Sequence, residues 1–177
     1  MKLYVVRHGE TIENSNDCLC GRINSSLTEN GIKQAKIVRE KFKDKKIDLI
    51  VSSPLDRCKQ TAEIIANNEI KIIYSDSLLG RDHGEFTGVH KSTINFDEYW
   101  DYNKNIQYKS AESVKTLYDR VAKLIEDLKI KYNDKNIILV THSGILRVLY
   151  YYFIGIPENG ILSEVEIKNC EVYEYDL

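Results

Sequence analysis

The sequence has no long apolar run, no cysteine framework and almost no net charge, and each absence removes a class of protein. With no stretch of about 18 apolar residues, a membrane-spanning helix is not expected. The short apolar run Leu3–Val6 passes straight into charged residues and reads as a first strand, not as the core of a secretory signal. The four cysteines (Cys18, Cys20, Cys58 and Cys170) have neither disulfide-scaffold nor zinc-site spacing, so no metal site is expected and the reducing cytoplasm is the expected compartment. Lys and Arg total 25 against 27 Asp and Glu, a formal charge of −2, which provides no basic field for nucleic acid or an anionic membrane. Any anion must then be held by a few placed cations. Repeats and low-complexity tracts are also missing.

What is present is an ordinary globular chain of 177 residues, long enough to bury a core as a single domain, 1–177. Lys2–Val6 reads as a buried strand that ends at Arg7-His8-Gly9, and residues 12–27 read as loop. Thr28 is a plausible cap for a helix carrying Ile32, Ala35, Val38 and Phe42 at helical spacing. Ile47–Ser52 is a second strand, and Ser53-Pro54 marks a helix entry with Leu55, Cys58, Ala62 and Ile65 on its buried stripe. Ile70–Tyr74 is a third strand. Residues 79–110 are irregular and aromatic-rich, either a satellite core or a cap over a site. Glu112–Tyr132 is the clearest helix, Asn136–Thr141 the fourth strand, and a helix follows His142-Ser143-Gly144. Two closing strands are expected at Ser163–Lys168 and Cys170–Tyr175. This order predicts an α/β fold, a parallel-dominated sheet with helices on both faces.

Ligands of such sheets bind beyond the carboxyl ends of the strands. Arg7 and His8 follow the first strand, Arg57 the second and His142 the fourth, so two arginines and two histidines converge on one rim. Guanidinium groups pair with phosphate oxygens, and Gly144 lets a helix N-terminus, itself an anion-attracting element, begin close behind His142. The pattern points to a phosphate pocket holding an imidazole. An imidazole with one nitrogen fixed as donor can attack phosphorus with the other, and the guanidinium groups then supply the positive charge without a metal.

These residues carry a resemblance. Arg7-His8-Gly9-Glu10-Thr11, Ser52-Ser53-Pro54-Leu55-Asp56-Arg57, Glu112-Ser113 with Arg120, and Thr141-His142-Ser143-Gly144 together resemble the histidine phosphatase superfamily, the phosphoglycerate mutase-like fold. The likeness spans nearly the whole chain. It implies a three-layer α/β/α sandwich with a mostly parallel central sheet, and hydrolysis of phosphomonoesters through a phosphohistidine on His8, without cofactor. It also implies that Arg7, Asn14, Arg57 and His142 contact the phosphoryl oxygens, with Gly21, Ser143 and Gly144 completing the substrate site. The expected substrate is a small phosphorylated metabolite, with a phosphoprotein as an alternative. A phosphoglycerate mutase, or a phospholigand-binding protein with impaired turnover, are the rival readings. The latter arises because Gly80 stands where the family carries its acidic residue, before Gly84-Glu85-Phe86-Thr87-Gly88. Of the nearby carboxylates Asp82 and Glu85, Asp82 is the expected substitute for the general acid.

Overall fold

A computed structural model describes residues 1–177. In chain order the elements are β1 (Lys2–Arg7), α1 (Ile12–Ser15), α2 (Glu29–Phe42), β2 (Leu49–Ser52), α3 (Asp56–Ala66), β3 (Ile72–Tyr74), α4 (Phe96–Tyr99), α5 (Val114–Tyr132), β4 (Ile137–Thr141), α6 (Ser143–Ile154) and β5 (Val172–Asp176). The sheet order is β3-β2-β4-β1-β5, parallel throughout except for β5, which runs antiparallel to β1 at the edge.

Alternating strand residues feed two cores, as a period of two requires when both faces are covered. Leu3 and Val5 of β1, with Ile137 and Leu139 of β4, pack against α5 and α6. Tyr4 and Val6, with Ile138 and Val140, pack against α2 and α3. The result is the expected α/β/α sandwich. No helix is long and apolar enough to cross a membrane.

The register of the parallel strands decides where the chemistry falls. β1 and β4 are direct neighbours, with Arg7 opposite Thr141, so the residues that follow, His8 and His142, emerge side by side. β2 flanks β4 on its other side with Ser52 opposite Val140, which brings Ser53 to the same edge. A close backbone approach anchors the chain just after His8. A Cβ on Gly31 would overlap the carbonyl oxygen of Glu10, and one on Gly9 would lie 2.5 Å from the Gly31 oxygen. Glu10 is also tied to this helix start through Thr28 N–H, which donates to its carbonyl at 2.9 Å.

Several local expectations differ from the structure. Residues 12–27 contain the short helix α1, because Thr11 and Asn14 form a reciprocal capping box. Helix α3 begins at Asp56, after Leu55 as cap, two residues beyond the Ser53-Pro54 entry, since Ser53 is used by His142. Ile32 is on the exposed side of α2, where Gly31 takes the inward position. Residues 163–168 form a loop and not a strand. Arginine side chains take their carbonyls: Arg147 Nη2 donates to Val165 O at 3.1 Å, and Arg7 Nη1 to Ile167 O at 2.6 Å. Residues 79–110 hold two short 3₁₀ turns, Gly84–Phe86 and Lys91–Thr93, and α4.

Because the Gly31 contact is backbone against backbone, Gly31→Ala is expected to destabilise the protein by about 1–3 kcal/mol. Urea unfolding measures this, and an unchanged midpoint would show that the loop after His8 is not pinned there.

Candidate active site

A cavity of about 690 Å³ opens at the carboxyl edge of the sheet, lined by Arg7, His8, Asn14, Gly21, Arg57, Gly80, His142, Ser143 and Gly144 among others. The expected constellation is therefore assembled in one place, apart from Asp82.

His8 is 3 % exposed. Its Nδ1 lies 2.7 Å from the carbonyl of Gly9, and Arg57 Nε donates to its Nε2 at 3.2 Å. A carbonyl only accepts and a guanidinium only donates, so Nδ1 carries the proton and Nε2 holds the lone pair. For His142 the roles are reversed. Arg57 Nη2 donates to Nδ1 at 3.1 Å, and Nε2–H donates to Ser53 Oγ at 2.8 Å. The two rings stand edge to face, 5.2 Å between centroids. Burial, then the charge of Arg57, holds both imidazoles neutral, well below the usual histidine range.

Arg57 is the hub. Besides both histidines it donates through Nη2 to Gly21 O at 2.8 Å and through Nη1 to Ile23 O. Gly21 has φ +53°, a left-handed conformation that suits glycine, and this turns its carbonyl toward the guanidinium. Asn14, in α1, is placed by Asn169 Nδ2, which donates to Asn14 Oδ1 at 3.1 Å and to His8 O at 3.0 Å. Ser143 and Gly144 open α6, whose N-cap His142 makes no side-chain bond to the first turn, so the leading amides face the cavity unclaimed by a cap. Gly144 admits the Trp100 ring edge, which would lie 3.3 Å from a Cβ there.

Asp82 requires correction. It does not line the cavity. Its Oδ1 accepts from Gly84 N–H at 2.9 Å and its Oδ2 pairs with Arg22 at 3.3 Å, so the carboxylate is turned to the surface. His83 lines the wall instead, bonded to Tyr99 Oη at 2.7 Å, and burial pushes its pKa down to about 3. Glu85 is also occupied, accepting from the amides of Lys109, Ser110 and Ala111 and from the Ser110 hydroxyl, which hold its carboxyl near pKa 2. At Gly80 a Cβ would stand 3.2 Å from His142 Cγ, so the glycine lets the imidazole pack close. The carboxylates that do line the cavity, Asp17, Glu164 and Glu166, are all exposed.

Two buried cations of the lining escape the sequence reading: Arg81 and Arg147, 1 % and 8 % exposed. Arg147 lies five residues after His142 on the same helix, and Arg81 directly follows Gly80. The ion-paired arginines are Arg22, Arg39 and Arg120. Every arginine without a carboxylate partner (Arg7, Arg57, Arg81 and Arg147) lines the cavity. Uncompensated buried cations are costly in a free protein and are a signature of anion binding. Burial first, then Arg57, lowers the pKa of Arg7 to about 10.

A family model of the histidine phosphatase superfamily (branch 1) matches residues 3–177. The chain is 28% identical over 184 residues to phosphoserine phosphatase 1 of Hydrogenobacter thermophilus, covering 100% of this chain and 85% of the relative. It is 33% identical over 186 residues to the uncharacterized phosphatase PhoE of Bacillus subtilis, covering 98% and 93%. Among solved structures, YhfR of Bacillus stearothermophilus superposes with a TM-score of 0.90 at 23% identity, covering 99% of this chain and 91% of that one.

The buried neutral histidines imply a pH response of the ligand-free protein. Their folded pKa values lie below the unfolded value of about 6.5, so their stabilising contribution is present above that pH and is lost as pH falls below it. Unfolding free energy should fall by up to about 1.4 kcal/mol per histidine per pH unit below 6.5. His8→Ala should make that slope shallower in urea titrations. Equal slopes for variant and wild type would remove His8 from the effect.

Proposed function

The chain belongs to the histidine phosphatase superfamily, branch 1, and from that premise we propose that it hydrolyses phosphomonoesters by passing the phosphoryl group through His8 Nε2. The observation that carries this reading is the fixed tautomer of His8. Gly9 O holds the proton on Nδ1, which leaves the Nε2 lone pair inside a cavity whose four guanidinium groups have no carboxylate.

In the first step the Nε2–P bond forms in line as the bond from phosphorus to the alcohol oxygen breaks, and that oxygen leaves with the bonding pair. Arg57 Nε, which donates to Nε2 in the free protein, turns to a phosphoryl oxygen as phosphorus takes its place. Arg7, whose Nε has no partner, and Arg57 neutralise the equatorial oxygens, together with Asn14, His142 and the amides at the start of α6. In the second step water attacks phosphorus, the N–P bond breaks, and inorganic phosphate leaves with His8 neutral again. Arg7, Asn14 and the leading α6 amides already stand at the cavity, while Arg57 and His142 exchange their present partners, the His8 ring and Ser53, for phosphoryl oxygens.

With Gly80 in place of an acidic residue, no buried carboxylate stands ready to protonate the departing oxygen. The rate then depends strongly on how well the alcohol leaves. A cavity of about 690 Å³ lies within the range of small-molecule sites, which favours a small phosphorylated metabolite as substrate. All four cysteines are free, as suits a reducing compartment such as the cytoplasm.

Two assays test the reading. His8→Ala should lose p-nitrophenyl phosphatase activity by about 10⁴-fold or more. Retained activity would refute the nucleophile. Gly80→Glu should raise turnover of an alkyl phosphate relative to the aryl phosphate, by about 10²-fold if the new carboxyl acts as general acid. Asp82→Asn should leave that ratio as it is in the wild type, and an altered ratio would restore Asp82 to the chemistry.

A further inference from the structure

Buried donors without acceptors are rare in folded proteins, and each asks for a partner. Here the buried nitrogen atoms without one are Arg7 Nε, Arg81 Nη2, Arg147 Nε and Trp100 Nε1, and all four residues line the cavity. Arg7 stands beside His8. The other three form a separate group. Both the Arg81 and the Arg147 guanidinium carbons lie 4.6 Å from the centre of the Trp100 indole, and Gly144 fits against that ring and against Arg81.

Packing explains part of this group but not all of it. Arg81 donates through Nε to Glu112 O at 2.9 Å and through Nη1 to Tyr99 O at 2.8 Å, and its guanidinium lies over the Tyr99 ring. Arg147 donates through Nη2 to Val165 O and lies near the Phe96 ring. Those contacts seat the side chains and leave Arg81 Nη2, Arg147 Nε and the indole Nε1 unclaimed. They also leave two cations without a counter-charge. Burial, then the neighbouring Arg7 and Arg81 charges, pulls the Arg147 pKa down to about 10 against the opposing influence of Tyr151. One phosphoryl group on His8 accounts for Arg7 and Arg57, and leaves this second pair uncompensated.

We propose that Arg81, Arg147 and Trp100 form a second anion subsite that takes a negatively charged group, carboxylate or phosphate, on the leaving alcohol. The preferred substrates are then phosphomonoesters whose alcohol carries its own anion. This rests on the phosphatase reading of His8, and it adds the substrate class.

Binding in the His8→Ala background tests it, because neither ligand is consumed. Calorimetry compares 3-phosphoglycerate with glycerol 3-phosphate for the carboxylate, and fructose 1,6-bisphosphate with fructose 6-phosphate for the phosphate. In at least one pair the doubly anionic ligand should bind tighter by on the order of 10- to 100-fold, the range of hydrogen bonds to charged groups. Adding Arg147→Gln or, as a second variant, Arg81→Gln should bring that ratio toward unity, whereas a purely structural role would weaken both ligands alike and preserve it. Arg22→Gln, outside the cavity, should keep the ratio. Equal binding within both pairs in the His8→Ala protein overturns the subsite without recourse to an arginine variant, as does a ratio that survives both arginine substitutions. Turnover of p-nitrophenyl phosphate by the wild type is read separately. Its absence strikes the phosphatase reading, while the binding ratios still decide the subsite.

Discussion

The guanidinium of Arg57 donates to the lone pairs of two imidazoles and to two loop carbonyls, and it does so without a carboxylate to balance its charge. Much of the site follows from that shared group. Because it can only donate, it sets the tautomer of His8 in one sense and of His142 in the other. Burial keeps both rings neutral, and the Arg57 charge, acting through a weakly screening medium, reinforces it. Because its remaining N–H groups reach Gly21 and Ile23, it shapes the loop that closes one side of the cavity. An arginine at this position is costly in the free protein and becomes favourable when an anion arrives, which is the arrangement that electrostatic catalysis of phosphoryl transfer needs.

The sheet makes this possible by simple geometry. Neighbouring parallel strands with Arg7 opposite Thr141 deliver His8 and His142 to adjacent points, and a third parallel strand delivers Ser53 beside them. Helix α3 begins just beyond β2 and carries Arg57 inward on its first turn. The glycine contact between the loop after β1 and α2 holds this edge close to the helix layer. Strand order, register and two glycines thus place groups that lie far apart in the chain within hydrogen-bonding distance.

Much of this was legible in the residues. The strand cores, the helices with clear periodicity and the convergence of Arg7, His8, Arg57 and His142 on one rim follow from pattern and from the location of ligands in such sheets. What was not legible depended on side chains meeting backbone at long range. The segment 163–168 has the apolar alternation of a strand, but Arg7 and Arg147 claim its carbonyls. Asp82 is close in sequence to the expected acid position, yet it caps the amide of Gly84 two residues on, a turn that Asp-His-Gly favours locally, and its ion pair with distant Arg22 completes the outward orientation. Arg147 lies one turn beyond Ser143 and Gly144 on α6 and could have been suspected from helical spacing. Arg81, in an irregular segment, gave no periodic signal. Gly80 was visible as a departure, and its contact with the His142 ring emerges only in three dimensions.

The most direct test of the central claim is the mass of the protein itself during turnover. Mixing the enzyme with excess p-nitrophenyl phosphate, quenching in alkali and weighing the intact chain should reveal a species heavier by one phosphoryl group. Fragmentation should locate that group on His8, and the species should be absent from His8→Ala. Sustained hydrolysis with no such species at any quench time, or a phosphoryl group found on another residue, would contradict the account.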